Sequence, residues 1–177
     1  MSITKNIVYV VLLFFVITLC NAQQQHEFAN DTKEISETWR QLLSAIESND
    51  RAKFKALSGT TIKCYDCLEN TVEEKTATTQ MRATDSTWYE RIYDDIIYVP
   101  IDDFITDDFD LIFTAEFVKI LKEKEPKIGS YDIDGISKFE VLITTVEPSE
   151  EFEVMQHAFE FKKFDNEFKF VQISTIP

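Results

Sequence analysis

Residues 62–71 read IKCYDCLENT, and the cysteines three apart within it, Cys64 and Cys67, are the first place where this chain could do chemistry. A CxxC pair can be a redox dithiol, half of a zinc site or a disulfide clip. Redox pairs sit where a helix starts after a strand, in surroundings that lower the thiol pKa. Here Asp66 and Glu69 flank the sulfurs and disfavour a thiolate. Zinc needs four ligands. Outside the first 22 residues the chain adds only His26 and His157 to the pair, with no second CxxC and no HxxxH. An i,i+3 pair can also reach disulfide geometry across one tight turn. The choice among the three depends on compartment.

The N-terminus, MSITKNIVYVVLLFFVITLCNAQQQ, supplies the address. Lys5 precedes an apolar run from Ile7 to Leu19, shorter than the roughly 20 residues a spanning helix needs. Small and polar residues follow. This is the pattern of a secretory signal peptide cleaved after Ala22. Lipidation of Cys20 is the nearest alternative, disfavoured because Leu19 stands where a small residue is expected. The expected organisation is a signal peptide over 1–22, a polar tail over 23–30 and one α+β domain over 31–177. The expected location is the periplasm or the outside of the cell. There thiols oxidise, so the expectation is a structural disulfide between Cys64 and Cys67. A loop this short gives at most about 2 kcal/mol in the chain-entropy picture.

His157 is the other candidate. On an alternating stretch it shares a face with Phe159 and Phe161, and with Asp94 or Asp95 nearby it could act as a general base. The acidic run Asp102, Asp103, Asp107, Asp108, Asp110 invites calcium, but Phe104 and Phe109 interrupt it and it has no glycine. It reads better as a solvated helix face. Asp132-Ile133-Asp134-Gly135 has the glycine but lacks acids at the first and last ligand places (Ser130 and Val141), and reads as a turn. There is no nucleophile elbow or phosphate loop, and just three glycines are available to build one. No metal and no cofactor are expected. With 18 basic and 32 acidic residues the net charge is −14, which repels nucleic acid and anionic membranes.

The elements that must hold these residues follow from periodicity. Asp31 and Glu34 form a capping-box pattern ahead of a helical face of Ile35, Trp39, Leu42, Leu43 and Ile46. Asn49-Asp50 breaks it, and Asp50 caps a short helix with Phe54 and Leu57 inward, ended by Ser58-Gly59. Residues 59–67 read as extended and 68–86 as a polar loop. Thr87 and Glu90 pattern another capping box for a helix running to Pro100. The stretch 102–112 reads as a short helix, and Thr114 caps one that stops at Pro126. The period then changes to two over 139–145, 154–161 and 168–173, an antiparallel meander of three strands with turns at Pro148-Ser149-Glu150 and Phe164-Asp165-Asn166. Helices first and strands last give the α+β class.

This order resembles the cystatin-like fold of the nuclear-transport-factor-2-like and SnoaL-like superfamily. It has a Trp-bearing first helix, a short second helix after an Asn-Asp hinge, further helices and three closing strands. The ending FEFKKFDNEFKFVQISTIP is similar to the last hairpin of many such domains, and the signal segment with IKCYDCLENT resembles exported bacterial members. The resemblance spans most of 31–177. It implies helices packed on a curved antiparallel sheet that forms a cone. It also implies a pocket lined by Trp39, Trp88, Tyr93, His157 and Phe159. It leaves two functions open. One is a non-enzymatic binding module of the cell envelope for a small molecule or protein. The other is an isomerase or hydrolase using His157. A homodimer is expected, because strict alternation places Phe168 and Phe170 on one face of the last strand and Val171 and Ile173 on the other.

Overall fold

The computed structural model describes residues 30–133, 136–149 and 154–176, and the chain divides into two units, Met1–Glu34 and Ile35–Pro177. The expected signal segment, Cys20, His26 and nearly all of the polar tail lie outside the described residues. Within the first unit, residues 30–34 are helical. Asp31 is therefore inside a helix and not at its cap.

In the second unit, α1 covers residues 35–47 and buries Ile35, Trp39, Leu42 and Ile46, the face the periodicity marks. Asn49 turns the chain with φ 54°. Asp50 then caps α2 (Arg51–Leu57), its carboxylate accepting from Lys53 N at 2.9 Å. Ser58 ends α2 as its C-cap, as expected, and opens strand β1 (Ser58–Cys64) directly. A 3₁₀ turn, Asp66–Leu68, follows.

The polar stretch expected to be a loop contains helix α3 (Val72–Thr84). The signal was present: Thr71 accepts from Glu74 N at 3.2 Å while Thr71 N donates to Glu74 Oε2 at 2.8 Å, a complete capping box. The helix escaped hydrophobic patterning because its one buried residue is Thr78. Next come α4 (Trp88–Arg91), a π-helical turn (Ile92–Ile96) and the short edge strand β2 (Tyr98–Pro100). The Thr87–Glu90 box does not form: the Thr87 hydroxyl donates to Asp85 Oδ1 at 2.8 Å instead. Residues 101–112 are helical as α5 (Ile101–Asp103), a π turn (Phe104–Asp108) and α6 (Phe109–Ile112). Thr114 caps α7 (Ala115–Glu123), accepting from Phe117 N at 3.2 Å.

Four strands close the chain: β3 (Lys127–Ile133), β4 (Ile136–Val146), β5 (Met155–Phe164) and β6 (Glu167–Ile176). The β5–β6 hairpin turns on Asp165 and Asn166, both at positive φ, as a two-residue turn requires. The sheet has six strands in the order β2-β1-β6-β5-β4-β3. The expected meander is its β4-β5-β6 part. The sheet is mixed and not purely antiparallel, because β1 returns parallel to β6. Gly59 makes that approach feasible, since a Cβ there would meet Val171 Cγ1 at 3.2 Å.

Register decides the faces. Val141, Phe159 and Ile173 lie side by side across β4, β5 and β6, and Phe139, Phe161 and Phe170 form the next row. All six are buried. Between Phe170 and Gln172 the β5–β6 pairing slips by one residue at Val171. That bulge returns Ile173 to the same buried face as Phe168 and Phe170. The two-faced apolar strand that motivated a homodimer does not exist, because strict alternation fails at the bulge. The opposite sheet face is mixed, with Leu142 and Ala158 beside polar residues. There Glu160 is 4% exposed, accepts from the Tyr131 hydroxyl at 2.9 Å and pairs with Lys138 at 3.1 Å.

Candidate functional site

β1 delivers Cys64 into the core and the 3₁₀ turn delivers Cys67. The two form a disulfide, with Cα atoms 5.4 Å apart. Both are nearly inaccessible, and Cys67 N donates to Cys64 Sγ at 3.1 Å. Burial and adjoining acids leave the bond the role of a clip. The two residues between the sulfurs, Tyr65 and Asp66, are half-buried. Changing both cysteines to Ser should cost on the order of 1–2 kcal/mol in urea unfolding without abolishing the fold. Collapse of the domain would show that the clip is essential to it.

Tyr65 starts a chain of rings. It stacks on Tyr93 with centroids 5.6 Å apart, Tyr93 meets Tyr89 at 4.5 Å, and Tyr89 meets Trp88 edge-on at 5.6 Å. Arg82 of α3 closes it. Its guanidinium carbon is 5.8 Å from the Trp88 ring, and Nη2 pairs with Glu69 at 2.9 Å while donating to the Tyr65 hydroxyl. Burial, then the neighbouring Tyr65, raise the Tyr93 phenol pKa. Helical spacing places Tyr89 and Tyr93 in one i,i+4 row; what it could not show is that Tyr65, from the disulfide turn, stacks on them.

His157 sits at the other side of that turn. Its Nδ1 is 3.0 Å from Thr145 Oγ1 and its Nε2 is 3.4 Å from Thr175 Oγ1. The Thr175 hydroxyl donates to Asp66 Oδ2 at 3.0 Å, and the ring packs on Phe117 at 4.6 Å. Asp94 and Asp95, the expected carboxylate partners, are exposed on the π turn. Asp66 takes that place, reached through a threonine. Burial lowers the His157 pKa and Asp66 pulls it back up. Proton NMR titration should therefore find His157 titrating below its ordinary value, and Asp66→Asn should lower it further. An unchanged value in Asp66→Asn would remove Asp66 from this array.

The five residues named for a pocket occupy three settings. Trp39 and Phe159 pack on one another inside the core at 4.7 Å. Trp88 and Tyr93 belong to the surface ladder, and His157 to the threonine array. Phe54, Phe104, Phe159, Phe161 and Phe170 are among the largest fully buried side chains of the core. An open groove of about 670 Å³ lies elsewhere, between the end of α1, α6 and α7, with Ile46, Phe109, Phe113 and Val118 on its apolar side.

Among the described residues no three His, Cys, Asp or Glu side chains come together as metal ligands. Asp102, Asp103, Asp107 and Asp110 are exposed, but Asp108 is buried, which corrects the reading of that run as one solvated face. Side chains of the second calcium candidate, Asp132 and Asp134, lie outside the description. No helix among the described residues is long and apolar enough to cross a membrane. Comparison of the chain with protein-family models, with curated proteins and with solved structures returns no match in any of the three.

Proposed function

We propose that this chain is an exported domain of the cystatin-like type and acts as a non-enzymatic binding module of the cell envelope, using the Tyr65–Tyr93–Tyr89–Trp88 surface. The observation that carries this is the filled interior. An enzyme of that fold class keeps its substrate in the cone, whereas here buried phenylalanines occupy the core. Recognition then falls to the exterior, where a disulfide fixes an aromatic ladder with Tyr89 exposed. Aromatic rings rigidly held at a surface are strong binding anchors, since little side-chain entropy is lost on contact. The test is site-specific photo-crosslinking in the native host. A crosslinker at position 89 should give one discrete adduct, and the same group at Thr76 on the outer side of α3 should give none. Equal patterns at both positions would sink the reading.

One observation favours a second reading. The line Thr145–His157–Thr175–Asp66 is the kind of hydrogen-bonded array that orients an imidazole as a general base. If it is catalytic, a panel of activated esters should be turned over by the parent chain and not by His157→Gln. No turnover by the parent chain would end this reading.

A further inference from the structure

The helical stretch that carries Trp88, Tyr89 and Tyr93 presents two kinds of groups to solvent. Tyr89 is 57% exposed, more than any other large aromatic among the described residues. The same helical stretch carries Glu90, Asp94 and Asp95, all exposed and with no ion pair or hydrogen-bond partner from their side chains among the described residues. The two arginines of this surface are already engaged. Arg91 pairs with Asp85 at 2.7 Å. The Thr87 amide, which donates to the same carboxylate, and then that contact hold the Asp85 pKa down at about 2. Arg82 pairs with Glu69.

Arg82 shows what this surface does with a cation. Its guanidinium lies against the Trp88 ring, donates to a phenol oxygen and meets a carboxylate at 2.9 Å. Ring, hydroxyl and carboxylate are the three partners a guanidinium prefers. The same helical stretch also exposes the Tyr89 ring and the carboxylates of Glu90, Asp94 and Asp95, none of them paired with a cation among the described residues.

We propose that this surface docks an arginine- or lysine-rich segment of a partner protein. The inference rests on the binding-module reading and names the chemistry of the partner. The basic side chains stack on Tyr89 and pair with Glu90, Asp94 and Asp95, repeating the contact Arg82 makes within the chain. The net charge of −14 steers a cationic segment toward the protein as a whole. The ladder gives it a place to stop. Exposed ion pairs are individually weak, so the docking depends on several contacts together and falls with added salt.

The test is fluorescence anisotropy of a labelled arginine-rich decapeptide titrated with the full chain. Saturable, salt-sensitive binding is expected. Tyr89→Ala and the triple change Glu90→Gln/Asp94→Asn/Asp95→Asn should each weaken it about fivefold or more, while Tyr89→Phe, which keeps the ring, should retain it. A control triple, Asp103→Asn/Glu116→Gln/Glu125→Gln, removes the same charge elsewhere and should change affinity less than about twofold. The proposal is overturned if the peptide does not bind, if Tyr89→Ala binds as well as the parent, or if the control weakens binding as much as the patch triple. A neutral or acidic peptide that binds through Tyr89 in place of the basic one overturns the cationic partner but leaves the binding-module reading intact.

Discussion

Phe54→Ala is expected to lower the unfolding free energy by about 3–5 kcal/mol, the usual range for deleting a fully buried ring. Phe54 is inaccessible to solvent. Its ring touches four others: Phe104 at 5.8 Å, Phe109 at 5.0 Å, Phe113 at 5.8 Å and Phe170 at 5.8 Å. It therefore joins α2 to the 101–113 segment and to β6. Neighbours held by three separate elements cannot all relax into the hole, so the cavity contribution is large as well as the transfer contribution. Domains of this size have roughly 5–15 kcal/mol in total, so the variant should sit at the edge of folding. Urea unfolding measures the loss, with Phe164→Ala as the control. Phe164 is 48% exposed, and its removal should change stability by less than about 0.5 kcal/mol. A loss below about 1.5 kcal/mol for Phe54→Ala would mean that the rings do not form one interlocked core.

Asp108→Asn should stabilise the protein, and only above a certain pH. Asp108 is 6% exposed, and the one hydrogen bond its side chain receives comes from Asn70 Nδ2 at 3.0 Å. Burial, partly offset by Asn70 and reinforced by Glu74 and Asp107, raises its pKa from 3.8 to about 6. The folded state thus holds the proton more tightly than the unfolded state. Stability from this group is fully present below about pH 4 and is lost as pH rises through about 6. Above that, a buried carboxylate with one neutral donor is a standing cost. Asparagine keeps an oxygen for Asn70 and carries no charge. Its advantage should be about 2 kcal/mol at pH 7.5, discounted for partial solvation of the site, and close to zero at pH 4. Urea melts of both proteins at the two pH values decide it. A destabilised variant at pH 7.5 would mean that the ionised form of Asp108 is held by something stronger than Asn70.

Several elements were legible from local pattern alone. The apolar spacing of α1, the Asp50 and Thr114 caps and the period-two strands β4, β5 and β6 each depend on contacts within a few residues. The Cys64–Cys67 disulfide joined them because its partners are three apart. Where local signals competed, sequence reading failed. α3 carries a full capping box but buries one threonine, so weight given to hydrophobic periodicity hid it. Thr87 had two suitors, Glu90 through a helix cap and Asp85 through a turn, and the turn won. β3 was missed because its alternation breaks at a Gly-Ser pair.

Sequence by itself determined the α+β class, a close-spaced cysteine pair, a strongly acidic composition and a surplus of phenylalanine to be buried. Those follow from residue type and short spacing, where the energy is local. Tertiary structure alone decided the rest. It put β1 parallel beside β6, turned Ile173 inward through a bulge at Val171 and filled the interior with rings. It also brought Asp66 to Thr175 across 109 positions and set Tyr65 on Tyr93. Each of these depends on which distant surfaces close against each other. That is settled by packing density and register over the whole sheet, quantities to which no single stretch of sequence holds the key.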